Sequence, residues 1–356
     1  MDTERAILVG VEFPKDNLPI DISLEELAQL ASTAGAQVAG MLTQRKDKPD
    51  LRTFIGSGKL EELLSLANST QANLVVFDND IHASQQRNLE EALGMKVIDR
   101  TELILDIFAQ HAHSHEGRLQ VKLAQSEFML TRLSGKGISM SRLGGGIGTR
   151  GPGETKLEQD RRKIRKEISE LKQQIEAIRA SRNTRRSARI SSGIKSASIV
   201  GYTNAGKSTL LNSLTKSNAL VENKLFATLD TTTRRLYLDS GNTVLVSDTV
   251  GFIQKLPHQL VDAFKATLEE VTEADILIHV VDSSSPYFEN QIGSVYNVLE
   301  EIGAIGKPMI TVFNKTDLLK KELGNALLDK YRPCVKVSAL KKNGLEELKA
   351  AISSCL

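Results

Sequence analysis

The 356-residue chain predicts an α/β protein: a doubly wound P-loop domain preceded by a small α/β domain and a long antiparallel helical hairpin. Three observations carry this expectation. A strand-like run, Ser196 to Val200, enters a glycine-bounded loop and then a helical run, Thr209 to Leu214, after which apolar strands alternate with amphipathic helices. The same alternation fills residues 1 to about 110. Between the two lies a segment whose apolar residues recur in steps of four and three, the signature of paired long helices.

The elements follow in order. In the first part, Ala6 to Phe13 and Leu74 to Phe77 read as strands, and Leu24 to Ala34, Leu60 to Leu66 and Gln85 to Leu93 as helices. Leu103 to Leu133 reads as one long helix. Ser134 to Gly153 contains eight glycines and a proline, too many for a packed element, so it reads as a loop. A second helix starts near Glu154, with Leu157, Ile164, Ile168, Leu171, Ile175 and Ile178 along one seam and Arg161 at the one missing seam position. The expected domains are therefore 1–110, a hairpin 111–188 tipped by the loop 134–153, and 189–356.

Composition narrows the function classes. At 40% hydrophobic and 25% charged residues the chain buries real cores, and its length fits two domains with a connecting piece. Lys+Arg 46 against Asp+Glu 44 excludes a chain that is basic throughout. The charge is unevenly spread: twelve Lys/Arg against five acids between Lys156 and Arg189 leave +7 there and −5 elsewhere. Helix pairs such as Glu158 with Arg162 account for part of this as a solvated face, and a footprint for phosphate backbones accounts for the excess. Cys334 and Cys355 are too few to staple the fold, which suits a reducing compartment. The charged start leads into only a short apolar stretch, unlike a secretory signal, and the longest apolar run, Ile276 to Val281, is six residues against the roughly 20 that span a bilayer. A cytoplasmic, monomeric protein without membrane partners is expected. With no Trp and 4% aromatic residues, stacking of single-stranded bases is disfavoured.

The glycine loop fills every position of a phosphate cradle: Gly201, Tyr202, Thr203, Asn204, Ala205, Gly206, Lys207 and Ser208. Its backbone N–H groups converge on phosphate oxygens at the positive end of the following helix. Lys207 is expected to neutralise the β- and γ-phosphates and Ser208 to ligate Mg²⁺. The strand Met309 to Phe313 ends in Asn314, Lys315, Thr316 and Asp317. A carboxylate there accepts two hydrogen bonds from the edge that guanine has and adenine lacks, and Lys315 can lay its stem along the base. Val335 to Val337 delivers Ser338, Ala339 and Leu340, whose N–H groups are candidates for the guanine O6. Between these blocks, Asp248, Thr249, Val250 and Gly251 end the strand Thr243 to Ser247; Asp248 is expected to hold Mg²⁺ through water and Gly251 to sense the γ-phosphate. Upstream, Phe226, Ala227, Thr228, Leu229 and Asp230 form a further block in which Thr228 would complete the metal shell; the threonines at 231 to 233 lead into a hairpin, Leu236 to Leu238 and Thr243 to Val246.

These five blocks resemble the complete set of a translation-factor-class GTPase that binds GTP and GDP. The tract from Arg142 through the glycines to Arg162, read with the blocks at 226–230 and 248–252, is similar to the HflX family. Phe54 to Lys59 and Glu116 to Val121 add to the likeness, which covers almost the whole chain. The resemblance implies a GTP hydrolase that engages the large ribosomal subunit and its rRNA, associated with ribosome dissociation or rescue under stress; the alternative is an assembly or checkpoint factor that docks without splitting. Flanking the glycine loop, Arg142, Arg150, Lys156, Arg161 and Arg162 are the candidate RNA contacts. Phe252 stands where many GTPases carry a glutamine and cannot hydrogen-bond, so intrinsic hydrolysis is expected to be slow, to be stimulated by the ribosome, and to have no assigned general base. Asn204 resembles the asparagine that ligates K⁺ in related GTPases, with an ordinary turn asparagine as the open alternative. The last helix, Gly344 to Ser353, is expected to close the domain without the further C-terminal domain of some relatives. Gly56 to Lys59 imitates a phosphate loop but lacks its spacing, and reads as a turn opening a helix. His111, His113 and His115 read as a polar helix face without the carboxylate or cysteine that would complete a metal site.

Overall fold

In the computed structural model, residues 4–14, 18–134, 152–191, 193–215, 225–226, 229–238, 241–255 and 265–356 are described. Contacts divide the chain into two units, 1–110 with 119–174, and 111–118 with 175–356.

The first unit is built on a four-stranded parallel sheet of order β2-β1-β3-β4, with β1 Arg5–Glu12, β2 Gln37–Arg45, β3 Leu74–Phe77 and β4 Lys96–Asp99. Helices α1 Ile20–Thr33, α2 Ser57–Thr70 and α3 Ala83–Leu93 connect these strands, and α4 Arg100–His111 continues from the last. Central β1 and β3 are apolar because both faces are covered; Ile7, Val9, Val75, Phe77, Leu63 and Leu89 form one core. Gly56 stands immediately before α2 and Lys59 pairs with Glu62 at 2.6 Å, so this glycine pair does open a helix. Arg100, 1% exposed, lies at the carboxyl ends of β3 and β4, where it is held by Asp78 at 3.0 Å, Glu26 at 2.8 Å and the Ser23 carbonyl at 3.2 Å. A guanidinium so far from water is tolerable only with such a full set of partners.

The expected helix over Leu103 to Leu133 is instead two, α4 and α5 His115–Ser134, with a break at 112–114. The three histidines consequently do not share a helix face: His111 ends α4, His113 lies in the turn and His115 begins α5. The expected glycine-rich loop lies, over 135–151, outside the described residues, and α6 Pro152–Ser191 follows as a single 40-residue helix. Along it Arg161, Ile164, Ile168, Leu171, Ile175 and Ile178 are less exposed than most of their neighbours, which is the expected seam. Near the start of α5 Glu116 pairs with Arg182 of α6, and further along α5 Glu127 reaches Lys172, earlier in α6, at 2.8 Å, so the helices run antiparallel. A third pair joins Lys122 to Glu167 at 2.7 Å.

The second unit holds a six-stranded sheet of order β10-β9-β8-β5-β7-β6. Its strands are β5 Lys195–Gly201, β6 Thr232–Tyr237, β7 Thr243–Asp248, β8 Ile276–Asp282, β9 Met309–Asn314 and β10 Cys334–Lys336. All neighbours are parallel except β6 with β7, the expected hairpin, in which Thr232 and Thr233 are strand residues. Helices α7 Lys207–Thr215, α8 Lys265–Glu273, α9 Phe288–Glu301, α10 Asn325–Lys330 and α11 Leu345–Cys355 complete it. Ile199, Val246, Ile278, Val280, Ile310 and Leu348 lie in its core. Among the described residues no helix is long and apolar enough to cross a membrane.

Candidate nucleotide-binding site

The carboxyl ends of the parallel strands of the second unit bring together the blocks at 201–208, 248–252, 314–317 and 338–340, as expected where a doubly wound sheet binds ligands. β5 runs through Gly201 into the loop whose last residues, Lys207 and Ser208, start α7. Lys207 Nζ donates to the Gly201 carbonyl at 3.2 Å and the Tyr202 carbonyl at 2.9 Å. Burial lowers its pKa to about 8, and the Asp248 charge opposes that shift. The Ser208 hydroxyl donates to Asp248 Oδ2 at 2.6 Å. A hydroxyl beside a buried carboxylate is a hard-oxygen pair that fits Mg²⁺, and among the described residues no cluster of three His, Cys, Asp or Glu offers another metal site.

The block after β7 is stitched to the loop by backbone. Thr203 N donates to Phe252 O at 2.7 Å and Phe252 N to Gly201 O at 3.1 Å, while Thr249 Oγ1 reaches Ile199 O at 2.7 Å. Gly251 lies so close that an added Cβ would stand 2.8 Å from Thr203 Cγ2 and 2.9 Å from Lys207 Nζ, so only glycine permits this approach. Phe252 is 1% exposed, its ring in the core, and Val250 is buried too.

Asn314 fastens the base-reading blocks. Its Nδ2 donates to Ala205 O at 2.8 Å and its Oδ1 accepts from Ala339 N at 3.0 Å. Ser338 Oγ donates to Asp317 Oδ1 at 2.5 Å, orienting the carboxylate, and Lys315, in the left-handed conformation, pairs with Asp282 at 2.7 Å. Around the expected O6 contacts, Ser338 N donates to Asn343 O at 3.1 Å and Ala339 N to Asn314 Oδ1. Asn204 is exposed with φ 60, a conformation asparagine tolerates.

Ala227 and Thr228 lie outside the described residues, as do Arg142 and Arg150. Phe226 and Leu229 are buried. Asp230, expected with the nucleotide block, turns its carboxylate elsewhere: Oδ2 accepts from His113 N at 3.0 Å and Ser114 N at 2.7 Å, and Oδ1 from the Ser114 hydroxyl. Ser114 and Gly117 were not foreseen, although a serine before a helical run is a capping signal that could have placed the break. Of the cations on α6, Lys156 and Arg162 are exposed, whereas Arg161 is only partly so and packs at the seam with its Nε buried.

Three family models match in succession: a GTP-binding GTPase N-terminal region over residues 21–109, a GTP-binding GTPase middle region over 111–189 and a 50S ribosome-binding GTPase over 196–315. The GTPase HflX of Caldanaerobacter subterraneus is 53% identical over 352 residues, which is 99% of this chain and 80% of that one. The GTPase HflX of Escherichia coli is 45% identical over 318 residues, 89% of this chain and 74% of that one. Among solved structures, a GTP-binding protein from Sulfolobus solfataricus in complex with GDP aligns with a TM-score of 0.51 and 26% identity over 99% of this chain and 98% of that one. With likeness of this extent joined to nucleotide blocks that the fold gathers at one end of a doubly wound sheet, the chain belongs to the HflX family of GTPases.

Proposed function

We propose that this GTP hydrolase binds the large ribosomal subunit through its basic hairpin, residues 111–188, and couples GTP binding and hydrolysis in the domain 189–356 to ribosome dissociation or rescue under stress. The observation that carries the reading is the line of exposed cations on α6, Lys156, Arg162, Lys163, Arg165 and Lys166, on the hairpin whose helices enter the nucleotide-binding unit. Such a face grips RNA phosphates by charge, without reading bases. The description of the matching family model as a 50S ribosome-binding GTPase supports the same partner. In the nucleotide site, Ser208, Thr228 and Asp248 would hold Mg²⁺, Asp317 reads the guanine edge, and the N–H groups of Ser338, Ala339 and Leu340 are the partners for O6. Asn204 is the residue through which K⁺ would act. Because the buried Phe252 ring offers no hydrogen bond to an attacking water, hydrolysis is slow until the ribosome supplies the missing stabilisation.

Ribosomes mixed with the protein and a non-hydrolysable GTP analogue, separated on a sucrose gradient, test this directly. Free subunits are expected to rise with GTP analogue and not with GDP. Co-sedimentation with immature large subunits and no rise in free subunits would select the assembly-factor role instead.

A further inference from the structure

The break between α4 and α5 is a tertiary clasp within the second unit. Ser114 caps α5, its hydroxyl accepting from Gly117 N at 2.9 Å. Asp230 then covers the cap from outside, taking the His113 and Ser114 N–H groups and the Ser114 hydroxyl on its two oxygens. A carboxylate on a helix N-terminus is favourable by both charge and hydrogen bonding. Gly117 makes room: a Cβ there would lie 2.4 Å from Asp230 Oδ1. Beside the clasp, Glu116 pairs with Arg182 of α6, and Glu269 of α8 pairs with Arg179 of α6 at 2.6 Å and faces Arg182 at 3.9 Å. The roots of both hairpin helices are therefore tied to residues that follow the two phosphate-sensing blocks in sequence: Asp230 after Thr228, and Glu269 after Gly251.

We infer that Asp230, Ser114 and Gly117 are positioning residues for GTP hydrolysis: the clasp fixes the chain two residues beyond Thr228, so that turnover depends on the root of α5. Only two residues of chain, at most about 7 Å, separate the pinned Asp230 from Thr228, so holding Asp230 lowers the chain entropy that must be lost to complete the metal shell. GDP makes no use of that residue. The clasp therefore bears on the γ-phosphate and not on the base or the diphosphate. By reciprocity a GTP analogue must tighten the clasp as much as the clasp favours the analogue. This inference rests on the proposed role of Thr228 as the residue that responds to the γ-phosphate.

Gly117→Ala is the sharpest test because it displaces the carboxylate while keeping both hydrogen-bonding residues; Ser114→Ala removes the hydroxyl and Ser114→Thr restores it. Single-turnover hydrolysis at saturating GTP is expected to slow about fivefold or more in Gly117→Ala and Ser114→Ala and to recover in Ser114→Thr, with GDP affinity within about twofold of wild type throughout. Amide exchange at His113, Ser114 and Gly117 in the wild-type chain is expected to be slower with the GTP analogue than with GDP. Rates unchanged or faster in both disrupting variants, or amide exchange indifferent to the nucleotide, overturn the inference. Thr228→Ala separates it from the reading beneath: if that change leaves hydrolysis intact, the assignment of Thr228 itself fails, whatever the clasp variants do.

Discussion

At the scale of single residues, Lys207 shows how a phosphate cradle stores a measurable property. Its ammonium is buried, satisfied by two carbonyls of its own loop, and its pKa falls to about 8 from the ordinary 10.5, chiefly through burial. Phosphate oxygens favour the charged amine and push that pKa back up, so binding draws a proton from solvent above about pH 8. Affinity for GTP should therefore decline as pH rises from about 8 toward 10.5 and stay flat, as far as this group is concerned, below 7. Calorimetry at pH 8.5 in two buffers of different ionisation heat reads the uptake, expected at about half a proton or more per GTP from the fraction of Lys207 that is neutral there. No uptake would mean that the amine is fully charged before binding. The identity of this lysine was legible in the sequence because spacing and context define the loop. The hydrogen bonds of Ser338 N to Asn343 and of Ala339 N to Asn314 were not, since only the folded chain brings those partners near.

At the scale of elements, strong periodicity read true and weak periodicity did not. β3 and the helical seam of α6 stand where their apolar patterns put them. β2 is an edge strand with a single buried residue and β4 is four residues long, so neither announces itself by alternation. The break before α5 is marked locally only by Ser114, and its outer cap, Asp230, is 116 residues away. α4 hides another tertiary effect. Glu102 is pushed up to about 7 by burial first and by the Asp99 charge next; Lys96 and Arg132 oppose the shift, and Asp106 adds least to it. Since its ordinary value is 4.5, the folded chain binds more protons than the unfolded one between those values. Stability from this group is thus fully present below pH 4.5, is lost as pH rises to about 7, and changes no further above that. Glu102→Gln keeps a polar partner for Gln86 and removes the charge. Thermal unfolding should show a gain of about 3 °C or more at pH 8 and little gain at pH 5. An equal shift at both pH values would assign the effect to packing instead.

At the scale of the whole molecule, a net charge of +2 conceals a division of labour: the positive excess sits on one helix, and the acids are spread over the rest. The seam consumes part of that excess, because Arg161 packs inward beside Glu158, and pairs such as Lys172 with Glu127 neutralise more. What remains exposed, Lys156 and Arg162 among them, is the fraction available to release counterions from RNA. Each phosphate contact contributes about 0.7 to 0.9 to the slope of log affinity against log salt. Replacing both residues by alanine should therefore lower the slope for binding to large ribosomal subunits by about 1.5, and weaken binding most at low salt, where counterion release counts for most. Measured by sedimentation across a salt series with the GTP analogue present, a parallel displacement with an unaltered slope would move the electrostatic grip to another face of the protein. The same series with GDP carries the argument one step further. If the hairpin is governed by the phosphate-sensing blocks through the roots of α5 and α6, the two nucleotides must give different affinities at every salt concentration while sharing one slope, because the nucleotide would change how well the cations are presented and not how many there are.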